Sequence, residues 1–561
     1  MSGFRSLCHI TVLSVTLFDC VLVFGQVIVD DASPRNASAQ GSANPSDKKY
    51  SLTGSVVNSV TGEGIPRAQV TANGQFVTMT DSGGNFVFEG LTAGTYSLTA
   101  IKPGYLNRPL IRRQPGMYSM AEVGPDTHPA QVALDPNATI LGRVTDSDGM
   151  PVSGLPVQCF RSEVLEGRKL WQPAGSASTD EDGEYRVSDL AAGTYLVVFG
   201  PGGSSLEAMV KAKKADAWYA ASYFPAPADS KYSGIQITAG QHITVDRNVT
   251  PEPFYTVSGT INGPAGMTPL PQMQRRSSVV PGSGGATFPG PDRHSFTVMW
   301  VAKGDYLLHA NEQSEGQMWS AYVPLHVAAD IEGVQLVLTP SMPIPINIRV
   351  DRTKQVQANS PRIVTGFDRP GWPQLQASLR SQDGQQQYSS DFSRQNDPTS
   401  LSFQNVPPGK YEAEFRALGD LYVASARYGD ADLLREPLVV GQSGGADAIE
   451  LVLRDDGGKV KGTITGVDKA FKNGDVTLLL VPSDGPARRP SNAVLMPDTS
   501  EFRLSELRPG SYSLFAFDDI SDLEYANPDA LEPYLSHAAH IDVAADQEVT
   551  ATVELIHRRG E

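Results

Sequence analysis

Two histidines, His537 and His540, have a spacing that could bind a metal ion. A mononuclear zinc site needs three or four protein ligands, or three ligands and an open position for water if it is catalytic. The chain has nine histidines, but no His-Glu-x-x-His pattern, and His537-Ala-Ala-His540 supplies only two imidazoles. We therefore interpret them as a surface pair, with a zinc site as the alternative. The sequence predicts no metal site and no cofactor.

One serine has the spacing of a hydrolase nucleophile, in Gly441-Gln-Ser443-Gly-Gly445. The G-x-S-x-G string forms a nucleophile elbow where a strand precedes it and a helix follows. Here a strand ending at Val440 precedes it, but the alternation from Ala448 to Leu453 predicts a second strand. We interpret the string as a hairpin turn. The sequence contains no convergent catalytic set, and we predict that the protein is not an enzyme.

Two aspartate pairs have the spacing that opens many calcium loops: Asp146-Ser-Asp148-Gly149 and Asp180-Glu-Asp182-Gly183. Neither continues to the downstream glutamate that such a loop requires. Both lie where the chain must turn between strands, and Asp-Gly is a preferred hairpin pair. We interpret both as turns, with weak calcium binding as the alternative.

An aromatic segment is the candidate ligand-binding site. Ser204 and Glu207 form a capping box, which predicts a short helix running to about Ala221. Exposed rings there could stack on the apolar faces of sugars or contact another protein. The alternative is that the rings pack the segment onto its own repeat or onto the next one. The residues are Trp218, Tyr219, Tyr223, Phe224 and Tyr232.

Charge and cysteine content exclude other classes of function. The formal net charge is −17, a field that repels nucleic acid and anionic lipid. Pairs of arginines are isolated and lack interleaved aromatic residues, so we predict no nucleic-acid binding. Cys8 and Cys20 lie in the N-terminal segment, which leaves Cys159 on a predicted strand without an intrachain partner. We interpret Cys159 as a small buried hydrophobic residue.

The elements that position these residues follow a thirteen-residue pattern that occurs five times. In its first copy Phe86 and Phe88 alternate inward on one strand, Leu91 fills a corner, and Tyr96 and Leu98 alternate inward on the next. A glycine precedes each tyrosine by two residues, and successive tyrosines are 99 to 111 residues apart. The five tyrosines are Tyr96, Tyr195, Tyr306, Tyr411 and Tyr512.

The repeat predicts an all-β chain, a linear array of five small antiparallel β-sandwich domains. Each has about 100 residues, enough to bury its own core. We call them repeats 1 to 5. Short proline-bearing linkers favour a rod with limited bending, and residues 263–292 in repeat 3 are predicted as a long loop. The predicted boundaries are 50–136, 137–251, 252–341, 342–455 and 456–556.

The N-terminus predicts export. Arg5 is followed by an apolar run from Ile10 to Phe24, which is short for a membrane span, and we expect a signal peptide at residues 1–25. Cys20 raises the alternative of a lipoprotein, but Asp19 fits that cleavage site poorly. Residues 26–49 are polar and predict a flexible spacer. No apolar C-terminal segment predicts a membrane anchor, so we expect an extracellular, periplasmic or outer-surface protein.

The motifs resemble the carboxypeptidase regulatory-like domain. Gly-x-Val, Gly-x-Pro, Thr-Asp-x-x-Gly and Leu-x-x-Gly-x-Tyr follow one another in repeats 1 and 2 and more loosely in repeat 5. Repeats 3 and 4 keep the Gly-x-Tyr stretch and lose the Thr-Asp-x-x-Gly hairpin. The chain resembles secreted bacterial proteins built of such modules. The resemblance implies transthyretin-like sandwiches of a carbohydrate-binding-like fold, and no zinc carboxypeptidase catalytic domain is present. Fibronectin type III is the rival family.

The function expected from this sequence is non-catalytic. We predict an exported rod that binds or spaces something, with glycans or a surface protein as the partner. The alternative is an accessory protein of an extracellular peptidase or glycosidase, without its own active site.

Overall fold

A computed structural model describes residues 48–107, 119–200, 217–219, 221–227, 233–276, 285–353, 375–382, 386–392, 401–417, 419–441, 447–466, 476–485, 494–496 and 500–558. The predicted signal peptide and nearly all of the predicted spacer lie outside these residues. Strands make up most of the described chain. None of the helices in this part of the chain is long and apolar enough to cross a lipid bilayer.

Repeat 1 is a sandwich of two four-stranded sheets, with strand orders β4-β1-β8-β6 and β3-β2-β5-β7. Its strands are β1 (Lys49–Asn58), β2 (Gln69–Ala72), β3 (Phe76–Met79), β4 (Asn85–Thr92), β5 (Gly94–Ile101), β6 (Tyr105–Asn107), β7 (Ser119–Val123) and β8 (Ala130–Pro136).

Repeat 2 has the same plan. One sheet has the order β12-β9-β17, with β18 also beside β9, and the other has the order β11-β10-β13-β15, with β16 beside β13. A separate pair joins β14 and β19. The strands are β9 (Ala138–Asp146), β10 (Pro156–Leu165), β11 (Arg168–Ser178), β12 (Glu184–Leu190), β13 (Gly193–Phe199), β14 (Ala217–Tyr219), β15 (Ser222–Phe224), β16 (Ile235–Ile237), β17 (His242–Thr244), β18 (Arg247–Val249) and β19 (Pro251–Pro253).

Repeats 3 and 4 keep two sheets each, with orders β22-β23-β20-β26 and β21-β24-β25-β27, then β31-β32-β28-β37-β34-β35 and β30-β29-β33-β36. The strands of repeat 3 are β20 (Tyr255–Asn262), β21 (Gln272–Arg275), β22 (Ala286–Pro289), β23 (Ser295–Val301), β24 (Gly304–Ser314), β25 (Gln317–Val327), β26 (Ile331–Val337) and β27 (Thr339–Pro340). Those of repeat 4 are β28 (Ile344–Asp351), β29 (Leu375–Ser381), β30 (Gln387–Ser389), β31 (Asp391–Phe392), β32 (Leu401–Phe403), β33 (Gly409–Ala417), β34 (Tyr422–Tyr428), β35 (Ala431–Asp432), β36 (Leu438–Val440) and β37 (Ile449–Arg454).

Repeat 5 is a single connected sheet of order β39-β42-β44-β38-β41-β40, with β43 beside β42. Its strands are β38 (Gly458–Thr465), β39 (Thr477–Pro482), β40 (Val494–Met496), β41 (Glu501–Leu507), β42 (Gly510–Phe517), β43 (Ala539–Val543) and β44 (Glu548–Ile556). The helices are α1 (Pro528–Leu531), which begins after the N-cap Asn527, and the 3₁₀-helix η1 (Glu532–His537).

One strand arrangement is common to all five repeats. The first strand pairs antiparallel with the strand before the corner and parallel with a strand near the end of the repeat. A large hydrophobic cluster fills each repeat. The corner positions predicted from the sequence are buried, apart from Leu507, which is half-buried. The predicted all-β sandwich fold is confirmed, while the domain boundaries remain predictions.

Two local predictions are wrong. The helix predicted to reach Ala221 is contradicted at its end, because residues 217–219 form strand β14, whose backbone pairs with β19; the earlier part lies outside the described residues. Residues 263–292 are not one long loop, because β21 pairs with β24 and β22 pairs with β23. In both places tertiary pairing of the backbone outweighs local composition.

Non-neighbouring repeats touch, which a rod of successive repeats does not allow. The turn between β10 and β11 in repeat 2 contacts repeat 4 through the ion pairs Glu166–Arg380 and Arg168–Glu412. The same turn contacts repeat 5, where the Ala526 N–H donates to the Gly167 carbonyl at 3.0 Å. The array therefore folds back on itself.

Candidate functional site

The five repeated tyrosines close the corner of their own repeats. Each hydroxyl donates a hydrogen bond to the backbone carbonyl four residues earlier, so the ring is held in the core while its polar end is satisfied. The acceptors are Thr92 at 3.1 Å, Ala191 at 2.7 Å, Ala302 at 2.9 Å, Pro407 at 2.8 Å and Arg508. The tyrosine of the sequence pattern therefore has a structural role in all five repeats.

The threonine of the Thr-Asp-x-x-Gly motif is also structural. The buried Thr179 hydroxyl donates to the Val152 carbonyl at 2.6 Å and accepts from the Leu155 N–H at 2.8 Å. Thr80 makes the equivalent bonds in repeat 1, both at 2.7 Å, to the Ile65 carbonyl and from the Ala68 N–H. One side chain thus satisfies two backbone groups of the Gly-x-Pro loop.

The aspartate of the same motif caps the hairpin turn. Asp180 Oδ1 accepts from the N–H groups of Asp182 at 3.0 Å and Glu184 at 2.8 Å, and Asp81 does the same in repeat 1. Hydrogen bonds from Asn85, its backbone N–H above all, hold the pKa of Asp81 below its usual value. Such bonding to the chain's own backbone is how aspartate favours turns.

Asp146 is used in the same way. It is 2% exposed, and its Oδ1 accepts from the N–H groups of Asp148 and Met150, both at 3.0 Å. These contacts confirm the turn interpretation of both aspartate pairs. The described residues contain no group of three or more histidine, cysteine, aspartate or glutamate side chains that could hold a metal ion.

The glycine that ends the motif is required by its surroundings. Gly183 has a φ of 74°, and a Cβ there would lie 2.4 Å from the Val144 carbonyl oxygen. Gly84 has a φ of 82°, and its Cβ would lie 2.7 Å from the Val56 carbonyl oxygen. A side chain at either position would be strained and would also clash.

Within the described part of the chain, the candidate aromatic residues lie on two short strands, β14 and β15. Tyr219 is 4% exposed and belongs to the core of repeat 2, while Tyr223 and Phe224 are half-buried on β15 beside β13. The backbone of Trp218 pairs with that of Glu252. Tyr232 lies outside the described residues. The structure therefore places Tyr223 and Phe224 on the sheet of β13 and Tyr219 on the separate β14–β19 pair, with packing contacts for all three.

Tyr223 covers a second, smaller hydrophobic cluster on the outer face of that sheet. Leu196 and Val198 point away from the main core, yet both are 0% exposed. They pack with Phe160 and Trp171, and Tyr223 and Ala221 lie against them. Part of the aromatic segment thus covers an apolar sheet face.

Repeat 5 has a comparable covered face. The segment after β42 places Leu523, Tyr525 and Leu531 over Phe515 and Phe517, both 0% exposed. Repeat 2 is therefore not alone in having a segment that covers an apolar sheet face. The apolar residues that alternate outward on β13 and β42 were the available signal.

The two candidate histidines have separate partners. His537 Nδ1 lies 3.0 Å from Glu554 Oε2, and His540 Nδ1 lies 3.2 Å from Ser513 Oγ, with both histidines on the surface. The spacing His-x-x-Glu also occurs, at His309 and Glu312 on β24. Residues three apart on a strand point to opposite faces. His309 stacks on Tyr322, and burial lowers the pKa of its imidazole.

Ser443 and Cys159 are the remaining candidate residues from the sequence. Ser443 lies outside the described residues, and β37 is the next element, so a strand follows the G-x-S-x-G string as predicted. Cys159 is 1% exposed, and burial raises the pKa of its thiol to about 12. A thiol with so high a pKa is a poor nucleophile at neutral pH.

Two surface features were not predicted from the sequence. The first is the charged turn at Glu166 and Arg168, which no local pattern distinguishes. The second is the outer face of the β3-β2-β5-β7 sheet of repeat 1, where four apolar side chains are 55–60% exposed: Val77, Met79, Ile101 and Met120. The alternation of apolar residues on β3 was a signal for the second feature.

The family model of the carboxypeptidase regulatory-like domain matches residues 51–115 and 139–250. BOS complex subunit NOMO1 of Mus musculus is 45% identical over 53 residues, which are 9% of this chain and 4% of that protein. BOS complex subunit NOMO3 of Homo sapiens is 36% identical over 75 residues, 13% of this chain and 6% of that protein. The chain therefore spans only a small part of the curated relatives that it matches.

Solved structures that resemble the chain include the Bacillus anthracis TIE protein and a streptococcal ancillary pilin. The first is 10% identical with a TM-score of 0.16, and the match covers 73% of this chain and 69% of the TIE protein chain. The second is 12% identical with a TM-score of 0.19, and the match covers 52% of this chain and 100% of the pilin chain.

Proposed function

We propose that this chain, whose residues 51–115 and 139–250 match the carboxypeptidase regulatory-like domain, is a non-catalytic binding and structural protein that acts outside the cytoplasm. The observation that carries this proposal is the use of the motif side chains. The threonine and tyrosine hydroxyls and the aspartate carboxylates of the repeated motifs bond to the chain's own backbone. Groups engaged in this way hold sandwiches together and are not presented to a substrate.

The proposed ligand is carbohydrate, and the proposed surface is the aromatic segment of repeat 2. Tyr223 and Phe224 are half-buried, so each ring is anchored and also has accessible area. Anchored aromatic rings lose little conformational freedom on binding and present an apolar face suited to sugar rings. Because this contact uses ring faces rather than charge, we expect weak binding that changes little with salt.

Catalysis is tested first. Panels of peptide, ester and glycoside substrates are incubated with the protein, with and without zinc. We expect no turnover above background. Turnover that is lost in His537→Ala or Ser443→Ala would overturn the non-catalytic proposal, because these side chains were the best candidates for chemistry in the sequence.

Binding is tested with a glycan array and three variants. Trp218→Ala and Tyr223→Ala should lose glycan binding, whereas Tyr223→Phe, which keeps the ring and removes only the hydroxyl, should retain it. Stability is measured in parallel by urea unfolding. Loss of stability with unchanged binding would show that the aromatic segment only packs. No change in either property would show that it is neither core nor site.

A further inference from the structure

The β10–β11 hairpin of repeat 2 is much longer than its counterpart in repeat 1. β10 and β11 have 10 and 11 residues, whereas β2 and β3 have 4 each, although both hairpins lie at the same place in their sheets. Six additional residues extend a strand by about 20 Å. The hairpin therefore projects beyond its own core, and its tip lies among residues of repeats 4 and 5.

Charges at the tip match the charges that face them. Glu166 pairs with Arg380 on β29, and Arg168 pairs with Glu412 on the neighbouring strand β33. The arginine side chains are 13% and 29% exposed, so both pairs are partly removed from water. Burial lowers the pKa of Arg168, and the nearby Glu414 carboxylate opposes that shift. The tip carries one acidic and one basic side chain, and each faces a side chain of opposite charge. Reversing the charge of either partner in a pair would therefore place like charges together.

The backbone of the tip also fits its contact. Gly167 has a φ of 74°, and a Cβ there would lie 2.4 Å from the Tyr525 ring and 2.7 Å from the Ala526 nitrogen. Its carbonyl accepts the Ala526 N–H at 3.0 Å. Tyr525 is 4% exposed and belongs to the covered face of repeat 5. One glycine thus allows a close approach between two repeats that are distant in sequence.

We propose that the tip formed by Glu166, Gly167 and Arg168 is an electrostatic latch. It holds repeat 2 against repeats 4 and 5 and so keeps the array in a closed shape. When the latch opens, the linkers between repeats allow the chain to extend. The latch is independent of the proposed glycan surface, which lies on β15 and not on the hairpin tip.

The Ala526 amide reports directly on the latch, because its bond to Gly167 joins two repeats. The Tyr525 amide is an internal reference, because it donates to the Leu523 carbonyl within repeat 5 at 2.8 Å. Residue-resolved hydrogen exchange on the full chain compares the two amides. Small-angle X-ray scattering of the same samples gives the maximum dimension of the particle.

The test variants are Arg168→Glu and Arg380→Glu. Each should accelerate Ala526 exchange by about tenfold or more, the effect of losing about 1.4 kcal/mol of opening free energy, and should increase the maximum dimension. Lys169→Glu is the matched control, because it makes the same charge change on an exposed neighbour and should alter neither measurement. Adding Glu166→Arg to Arg380→Glu restores opposite charges and should return Ala526 exchange most of the way to that of the unaltered chain.

Three results would overturn the latch. They are unchanged Ala526 exchange in both test variants, equal acceleration in Lys169→Glu, and failure of the charge swap to restore protection. Slow Tyr525 exchange in the same samples shows that repeat 5 itself remains folded, so a change at Ala526 is assigned to the contact.

Discussion

Replacement of Thr179 by valine tests the role of the Thr-Asp-x-x-Gly motif. Valine has nearly the same shape as threonine but neither donates nor accepts a hydrogen bond. The change removes the bond to the Val152 carbonyl at 2.6 Å and the bond from the Leu155 N–H at 2.8 Å. Both backbone groups would then be left without these partners around a side chain that is 4% exposed.

The expected cost follows from those two groups. Each buried polar group left unsatisfied costs about 1–3 kcal/mol, and two of them give a loss of about 2–4 kcal/mol if the loop partly relaxes. Thr179→Ser is the matched control. It keeps both hydrogen bonds and removes one methyl group, for a loss of about 1 kcal/mol.

Hydrogen exchange of β12 is the assay, because a chain of several cores does not unfold in one step. A loss of about 2–4 kcal/mol predicts exchange about thirtyfold to several-hundredfold faster in repeat 2. Peptides from repeat 1, where Thr80 is intact, should be unchanged. Equal exchange in the valine and serine variants would refute the structural role assigned to this hydroxyl.

Three further predictions follow from single side chains. Tyr96→Ala should destabilise repeat 1 by about 3–5 kcal/mol, and domain-resolved hydrogen exchange should show no loss elsewhere; global collapse would show one cooperative unit. In the chain without its predicted signal peptide, Cys159 should resist thiol labelling at neutral pH until the protein is unfolded, because burial raises its pKa to about 12. Burial would raise the pKa of Asp456, but hydrogen bonds from Arg454 and Tyr422 outweigh it and lower the pKa. The Asp456 carboxylate therefore stabilises the folded state above its usual pKa of 3.8, and this stabilisation is lost as the pH falls below that value. In urea unfolding, the loss of stability caused by Asp456→Asn should become smaller as the pH falls below 3.8. A loss of stability that is constant with pH would contradict this assignment.

The sequence predicts features that depend on neighbouring residues. The alternation around Tyr195 identifies the core, because strand periodicity assigns each side chain to a face. The same alternation places Leu196 and Val198 on the outer face, and Phe515 and Phe517 in repeat 5. Apolar residues in these places indicate that something covers the sheet, so the covering segments were predictable in principle.

Features set by distant parts of the chain were not predictable. The capping box at Ser204 predicts a helix by a local rule, but residues 217–219 pair with the linker strand β19 instead. The partners of Arg168 lie more than 200 residues away, and an isolated charged turn is an ordinary surface feature. Only the folded arrangement shows that its charges are matched.

The parallel pairing between the first strand and a strand near the end of each repeat also has a mechanical consequence. Two adjacent strands that run in the same direction place the start of one and the end of the other at opposite ends of the repeat. Tension along the chain would then pull β38 and β44 past each other, across seven aligned residue pairs from Lys459–Glu548 to Thr465–Glu554. Bonds that lie across the direction of pull must break together rather than one at a time. This arrangement would make each repeat resist tension along the chain.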